Sequence, residues 1–306
     1  MLPPTHRRGF LAGTAAAGAA VALSNRNATA AAPAARPLNP VPKRPTDTVT
    51  LGNTGIEVSL IGIGTGSHGV NQASNQTKLG LKEFTRVIRH AFDSGIRFFD
   101  VADQYGSHTY LRSALEGIPR DQYAIQTKTH AKDYKEAKSH LERYRMELGV
   151  DYVDTLLLHC MTTADWPQEY AGAMEYISEA KSQGLVRAHG TSCHGMDPLR
   201  TSAQHPWVEV DLARCNPEGA VMDSQDPADV TEQLKAMHDA GKGVIGMKIC
   251  GNGQFKEPER RDASLRFVFS LGFVDCIVVG LESPDQVDDL LARSESALDF
   301  ARTQRA

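Results

Sequence analysis

Four polar residues stand where predicted β-strands end, and their types suit acid–base chemistry. Asp100 and Tyr105 follow one apolar run, while Lys128 and His159 end the next two. A run such as Leu156-Leu157-Leu158 is typical of a parallel strand that helices cover on both faces. A charged group at such a buried end is costly to desolvate unless it has a partner. One shared cleft therefore explains the four residues better than four separate surface positions.

Together, the four side chains suit the reduction of a carbonyl group. A tyrosine has an ordinary pKa of about 10, so Tyr105 donates its proton readily only if that pKa falls. The ammonium of Lys128 is expected to lower the pKa, and Asp100 is expected to keep Lys128 charged. His159 can hydrogen-bond the carbonyl oxygen and orient it. Taken singly, each residue also has a purely structural interpretation, as a loop cap, an ion pair or a buried histidine.

The residues and their spacing resemble the aldo-keto reductase family, which has Asp, then Tyr five residues later, then Lys and His after the next two strands. Residues 51–59 resemble the family's opening hairpin, residues 62–66 its first barrel strand, and residues 278–284 the turn after its last strand. The resemblance implies a (β/α)8 barrel. It also implies an NAD(P)-dependent oxidoreductase that interconverts a small-molecule carbonyl and an alcohol, with Tyr105 as general acid and base.

The resemblance implies a binding site for NADP(H) or NAD(H), although several of its positions depart from the family pattern. The implied cofactor contacts are Gly64, Thr65, Ser192, Asn216, Lys248, Gly280, Ser283, Gln286 and Asp289. Two amides and a ring that hold the nicotinamide in the family are replaced by Cys193, Leu212 and Met247. The family's frequent basic residue near the nucleotide 2′-phosphate is replaced by Glu282, which weakens the case for NADP over NAD.

Substrate contacts are predicted at Trp166, in the loop after the fourth strand, and at Arg214. Trp166 is a candidate wall for a sugar or ring, and its alternative role is packed core. Arg214 and Lys248 are expected to meet a substrate carboxylate, the nucleotide phosphates or solvent.

Four of the five cysteines fall at or just past the ends of successive strands, namely Cys160, Cys193, Cys215 and Cys250. None belongs to a Cys-x-x-Cys pair, so no metal site is predicted, while a redox-active pair remains an alternative.

Two other functions compete with the oxidoreductase. The first is a Schiff-base lyase that uses Lys128, although such a lysine works best without a charged partner such as Asp100. The second is a non-catalytic, nicotinamide-nucleotide-binding regulatory module, which the altered carboxamide site favours and the intact set of four residues opposes.

From residue 60 onward, eight apolar runs alternate with eight helical patterns. The predicted strands are 60–64, 97–101, 123–128, 154–159, 185–191, 208–214, 244–249 and 275–280. The predicted helices are 81–94, 109–117, 134–149, 168–183, 196–204, 226–240, 260–271 and 284–300. This alternation predicts one parallel-barrel domain over residues 47–306, near the roughly 250 residues typical of the fold. A doubly wound sheet is the alternative, but its usual Gly-x-Gly-x-x-Gly opening is missing.

The first thirty residues resemble an export signal. Arg7-Arg8 precedes Phe10-Leu11 and an Ala/Gly/Val-rich stretch, and Ala28-Thr29-Ala30 offers a cleavage site. These features predict a twin-arginine signal peptide over residues 1–30, transient binding to the twin-arginine translocase, and a periplasmic location. Residues 31–46 are Ala/Pro-rich and are predicted to be a tether. The alternative is a low-complexity N-terminus in which two arginines are adjacent by chance.

The composition is that of an ordinary globular protein, with 41% hydrophobic and 23% charged residues. The formal net charge is −4, so the chain lacks the excess of positive charge that nucleic-acid-binding proteins use, and nucleic acid is not an expected partner. No apolar run reaches the roughly 18–20 residues that cross a bilayer, so no stable membrane anchor is predicted.

Overall fold

The computed structural model describes residues 35–305, so the predicted signal peptide (residues 1–30) and the start of the predicted tether lie outside the described residues. The strands are β1 (Thr48–Thr50), β2 (Glu57–Ser59), β3 (Ile61–Gly64), β4 (Phe98–Asp100), β5 (Ala124–Thr129), β6 (Val153–Met161), β7 (Val186–Cys193), β8 (Val210–Arg214), β9 (Gly243–Met247) and β10 (Cys276–Gly280). The helices are α1 (Asn75–Lys78), α2 (Leu81–Asp93), α3 (His108–Ala114), α4 (Tyr134–Leu148), α5 (Trp166–Glu169), α6 (Ala171–Ser182), α7 (Met196–Gln204), α8 (Pro227–Asp239), α9 (Pro258–Leu271) and α10 (Pro284–Arg305).

Strands β3 to β10 form a closed parallel barrel. Each strand pairs with its neighbours in sequence, and β10 returns to pair with β3, where Ile277 lies opposite Ile61. Strands β1 and β2 form a separate antiparallel hairpin in which Thr50 lies opposite Glu57. The predicted (β/α)8 barrel is confirmed, with each predicted strand found close to its predicted position.

The alternation of side chains along each barrel strand places the site residues. Inward-facing Phe98, Leu157 and Leu212 pack together in the barrel interior, where hairpin residues Leu51 and Ile56 join them. Because side chains alternate with a period of two, the residue two positions further along each of these strands faces the same way. Those next residues are Asp100, His159 and Arg214. The apolar interior therefore leads directly to a polar layer at the carboxyl ends of the strands.

A segment over residues 35–46, which the sequence predicts as part of a tether, is instead held against the barrel. The side chains of Arg36 and Asn39 donate hydrogen bonds to Asp275 at 2.9 and 2.8 Å. The other carboxylate oxygen of Asp275 accepts from backbone N–H groups of the hairpin and of β9. These bonds satisfy a carboxylate that is 2% exposed. We call residues 35–46 the base segment, because Asp275 immediately precedes β10 and so lies at the amino-terminal end of the strands.

Helix starts follow the sequence signals. Asp226 caps α8, where its carboxylate accepts from the N–H of Ala228 at 2.9 Å, and Pro227 takes the first helical position. None of the helices in residues 35–305 combines the length and apolar character that a membrane span requires.

Candidate active site

Asp100 and Lys128 form a buried ion pair at the ends of β4 and β5. The ammonium of Lys128 donates to Asp100 and, at 3.0 Å, to the carbonyl oxygen of Val101. The same Asp100 oxygen accepts from the amide of Gln126 at 2.8 Å. Lys128 is 1% exposed and Asp100 is 5% exposed, so this pair depends on its mutual hydrogen bonds for stability.

Tyr105 and His159 meet beside that pair. The Tyr105 hydroxyl lies 3.3 Å from Nε2 of His159, and the two rings are nearly perpendicular. The ammonium of Lys128 lies 4.9 Å from the centre of the Tyr105 ring. The structure thus brings all four residues of the predicted set into one site.

The acidity of Tyr105 differs from the expectation drawn from the sequence. Burial, followed by the negative charge of Asp100, raises the pKa of Tyr105 well above its ordinary value. Lys128 does not reverse this effect, because its ammonium points its hydrogen bonds at Asp100 and Val101 and not at the hydroxyl. Burial also lowers the pKa of Lys128 itself. The predicted lowering of the Tyr105 pKa was wrong for this arrangement, and Tyr105 holds its proton at neutral pH.

His159 is a neutral imidazole. Burial, and then the charges of Lys128 and neighbouring histidines, lower the pKa of His159 well below its ordinary value. Its ring stacks on His130 with 4.6 Å between centroids, and His130 in turn lies 2.7 Å from the amide oxygen of Gln104. The sequence analysis missed His130 as a member of the site. Its position two residues after Lys128, directly past the end of β5, is the signal that could have found it.

Two glycines in the loop after β3 pack directly against the Tyr105 ring. A Cβ atom built on Gly66 would lie 2.3 Å from Cε2 and Cζ of Tyr105, and one on Gly69 would lie 2.3 Å from Cδ1. No side chain larger than hydrogen fits at either position while the ring stays in place. The spacing of these glycines was visible in the sequence, but their contact with Tyr105 depends on the path of the loop.

A cleft of about 310 Å³ extends from Tyr105 across the ends of β3, β9 and β10 to the start of α10. Of the predicted cofactor contacts, Gly64, Lys248, Gly280, Gln286 and Asp289 line this cleft. Ser283 lies just before α10, where its hydroxyl accepts from the N–H of Gln286 at 3.2 Å. The first turn of this 22-residue helix offers little to an anion, because Pro284 has no N–H group and the N–H groups of Gln286 and Val287 bond to Ser283.

Two predicted cofactor contacts hold loops together and have no group left for a nucleotide. The fully buried hydroxyl of Thr65 bonds to the carbonyl oxygen of Asp100 and to Ser107. The side-chain amide of Asn216 is also fully buried. It donates to the carbonyl oxygens of Ala220 and Lys248 and accepts from two N–H groups of its own loop. Direct contact of Thr65 or Asn216 with the cofactor is therefore ruled out in this arrangement.

The cleft offers a nicotinamide nucleotide a positive charge at the phosphate end and few polar groups at the carboxamide end. Lys248, which lines the cleft, can supply that charge to the phosphates. Cys193 lies in the barrel wall, where its thiol is 3.2 Å from Ser202, and Leu212 packs in the barrel interior. Ser192, opposite His159 in the strand register, is the remaining polar side chain of the family's carboxamide positions.

Trp166 does not form a wall of the site. Its side chain is fully buried and packs with the rings of His205 and Trp207, at centroid distances of 5.3 and 6.3 Å. The predicted substrate contact at Trp166 was wrong, because the chain turns into α5 and carries the indole into the core. Arg214 lies at the end of β8, with its guanidinium 3.3 Å from Asp223.

All five cysteines are free thiols. Cys160 lies 3.1 Å from Nδ1 of His194, whereas Cys193 and Cys215 are buried in the barrel wall. Within residues 35–305, no three His, Cys, Asp or Glu side chains are grouped so as to hold a metal ion.

Comparison with known proteins gives a consistent picture. The model of the "Aldo/keto reductase family" matches residues 60–266. A probable aldo-keto reductase 1 from Glycine max is 31% identical over 223 residues, covering 68% of this chain and 60% of the relative. An NADH-specific methylglyoxal reductase from Escherichia coli is 25% identical over 189 residues, covering 54% of this chain and 58% of the relative. The matched region thus spans about 60% of these curated relatives.

A solved structure, described as a putative aldo-keto reductase from Pseudomonas aeruginosa, superposes with a TM-score of 0.68 at 21% identity. The superposition covers 84% of this chain and 98% of that one. At this level of identity the likeness concerns the fold.

Proposed function

Because this chain belongs to the aldo/keto reductase family, we propose that it is a nicotinamide-nucleotide-dependent oxidoreductase that interconverts a carbonyl and an alcohol. The observation that carries the proposal is the contact between the Tyr105 hydroxyl and Nε2 of His159, beside the buried pair of Lys128 and Asp100. These groups lie at the carboxyl ends of the barrel strands, the position of active sites in this fold.

Each of the four side chains has a distinct role in the proposed reaction. The bound nucleotide supplies or accepts a hydride. Tyr105 donates its proton to the oxygen of the carbonyl in the reductive direction and recovers it in the reverse direction. Neutral His159 orients that oxygen through a hydrogen bond and carries no charge that would compete with Tyr105 as the acid. Asp100 holds Lys128 beside the Tyr105 ring, where the positive charge favours the phenolate left by proton transfer.

The buried ion pair argues against the competing Schiff-base lyase. A lysine that forms a Schiff base must present a neutral amine to the substrate, whereas Lys128 is 1% exposed and donates to Asp100 and Val101. Borohydride treatment in the presence of substrate would attach the substrate covalently to Lys128 in a lyase. We expect no such adduct.

The test of the oxidoreductase is Tyr105→Phe. Removal of the hydroxyl should reduce kcat roughly 10²–10⁴-fold with aldehyde substrates, because only the proton donor is lost. Nucleotide binding, followed by nicotinamide fluorescence, should stay close to that of the wild type. Tyr110→Phe is the matched control, since Tyr110 packs on Phe84 away from the site. Equal turnover of Tyr105→Phe and wild type would contradict the role of Tyr105, and absence of turnover in both would favour the non-catalytic nucleotide-binding module.

We further propose that the cofactor is NAD(H) rather than NADP(H). Glu282 lines the cleft, and its carboxylate accepts a hydrogen bond from Asn75 at 2.9 Å. A carboxylate there would repel a 2′-phosphate, whereas it can accept from a ribose hydroxyl. Two arginines also line the cleft: Arg293 is bound by Asp289 and Asp262, and Arg261 lies 3.3 Å from Asp289. One relative with this fold is named as NADH-specific.

The cofactor preference is checked by Glu282→Lys. The ratio of kcat/KM for NADH to that for NADPH should fall by at least roughly tenfold, because repulsion of the phosphate becomes attraction. The exposed Glu295→Lys on α10 carries the same charge change outside the cleft and should leave the ratio unchanged. A wild type that prefers NADPH, or a Glu282→Lys variant with an unaltered ratio, would refute the proposed role of Glu282.

A further inference from the structure

Arg214 is a partly buried arginine whose guanidinium has almost no partners. It lies on the inward face of β8, two residues past Leu212, and its side chain is 15% exposed. Its one ion-pair contact is with Asp223, at 3.3 Å. Nε is buried without a partner, and none of the five N–H donors makes a hydrogen bond within residues 35–305.

Most other arginines in ion pairs of the described residues make hydrogen bonds to their carboxylates. Arg143 donates three hydrogen bonds, two to Asp103 and one to Glu147. Arg293 likewise binds two carboxylates.

Arg261 also makes no side-chain hydrogen bond within residues 35–305; it lies 3.3 Å from Asp289 and its Nε is buried without a partner, but its side chain is 30% exposed against 15% for Arg214. Because unmet donors cost more where the side chain is more buried, Arg214 is the stronger anion-binding group of the two.

Asp223 acts as a counter-ion and does not satisfy the guanidinium. Its side chain is fully buried, and neither carboxylate oxygen makes a hydrogen bond. Burial raises the pKa of Asp223 to about 6. The bidentate geometry in which arginine binds carboxylates most strongly is therefore unused by Asp223, and the fork of N–H groups remains available to another anion.

The surroundings of Arg214 hold excess positive charge. The ammonium of Lys248, which directly follows β9, bonds to the amide oxygen of Asn252 at 2.9 Å and to no carboxylate in the described part of the chain. Burial, followed by the charges of Arg214 and Lys128, lowers the pKa of Lys248. Burial and the charges of Arg214 and Lys248 lower the pKa of His194 to about 3, so this imidazole stays neutral. Binding of an anion would relieve the repulsion between these cations.

We propose that Arg214 binds an anionic group of the substrate, so that the enzyme acts on carbonyl or hydroxy compounds that also carry a carboxylate or a phosphate. The inference rests on the proposed function, in which the reacting oxygen meets Tyr105 and His159. The anionic group then fixes the far end of the substrate, while Asp223 is a positioning residue that holds the guanidinium at the mouth of the barrel.

The test uses three sugars with the same aldehyde and different groups at carbon 6, namely D-glucuronate, D-glucose and D-glucose 6-phosphate. Their binding to the full-length protein is measured by isothermal titration calorimetry. At least one anionic sugar should bind roughly tenfold or more tightly than D-glucose, as expected for charge-assisted hydrogen bonds. The anion that gains affinity identifies carboxylate or phosphate as the recognised group. Equal affinity for all three sugars, or no binding of either anion at millimolar concentration, would overturn the proposal.

A double variant assigns the preference to Arg214. Arg214→Gln with Asp223→Asn replaces the ion pair by two amides and avoids a lone buried charge. It should bind the anionic and neutral sugars with equal affinity, whereas Arg187→Gln, which removes one of the two arginine partners of Asp154, should keep the preference. A preference that survives in the double variant would refute the role of Arg214. Because binding is measured without turnover, Arg214-dependent anion binding in a protein that reduces no aldehyde would refute only the proposed oxidoreductase.

Discussion

Asp211 is a buried carboxyl group in β8 whose ionisation makes the stability of the barrel depend on pH. One of its oxygens accepts from Thr191 at 2.6 Å, while the other is buried without a partner. Burial raises the pKa of Asp211 from 3.8 to about 7. The folded protein therefore retains a proton that the unfolded chain has released, and stability falls as pH rises from about 4 to about 7.

Asp211→Asn should remove this part of the pH dependence. Between pH 5 and pH 8, the free energy of unfolding in urea should fall by about 2–3 kcal/mol less in the variant than in the wild type. The exposed Asp197→Asn controls for charge alone. Parallel pH profiles for Asp211→Asn and wild type would mean that Asp211 stays ionised in the folded state.

At the scale of single residues, the sequence predicts which side chains share the site better than it predicts their chemistry. Asp100 and His159 were predictable because a strand end and a period of two determine where they face. The high pKa of Tyr105 was not, since it depends on burial and on the direction of the Lys128 hydrogen bonds. Trp166 and Asn216 were misassigned because their side-chain directions follow loop paths, which carry no periodic signal.

At the scale of elements, the loop between β3 and α1 determines the position of the Tyr105 ring. His68, Asn71 and Gln72 all adopt positive φ, a conformation that is uncommon for residues with side chains. This tight path brings Gly66 and Gly69 against Tyr105. The loop is therefore part of the candidate active site, although none of its side chains has a role in the proposed reaction.

Gly66→Ala tests that role. The added methyl group would lie 2.3 Å from the ring, so Tyr105 must shift away from His159. A displacement of about 1 Å at a reacting group lowers kcat by about 10²-fold. Circular dichroism should show an unchanged fold. Gly246→Ala is the matched control, because its added atom would meet only side-chain methyl groups, at 3.3 to 3.4 Å. Near-normal turnover of Gly66→Ala would show that the loop adapts and leaves the ring in place.

The alternation of strands and helices was predictable because apolar runs and helix-end signals recur eight times along the chain. The base segment was not. Its Ala/Pro-rich composition is typical of linkers. Its contact with Asp275 joins residues 239 apart in sequence, through Arg36, and no local pattern records such a partner.

At the scale of the whole molecule, we propose that the protein is exported folded by the twin-arginine route and carries its nucleotide with it. The periplasm lacks a ready pool of nicotinamide nucleotide, so a cofactor loaded beforehand would have to stay bound and be recycled between two substrates. The phosphate end of the cleft, where Lys248 supplies positive charge, is better equipped to retain it than the carboxamide end.

Retention is tested on protein purified from the periplasm. Protein denatured after extensive dialysis should release near-stoichiometric NAD(H), because a slow off-rate keeps the nucleotide bound. Replacement of Arg7 and Arg8 by Lys should leave folded, active protein in the cytoplasm. Empty protein that binds added nucleotide only transiently would instead indicate a conventional exchanging enzyme, and export of the Lys variant would exclude the twin-arginine route.

The pairing of β3 with β10 has a consequence for how the chain is made. The first barrel strand, β3, pairs with β4 on one side and with the last strand, β10, on the other. Asp275, just before β10, also binds the base segment. A nascent chain on the ribosome cannot close the barrel until β10 has emerged, since these contacts are among the most distant in the sequence. A message truncated before that point would yield an open sheet with two bare edges, prone to aggregation and proteolysis, and not a smaller enzyme.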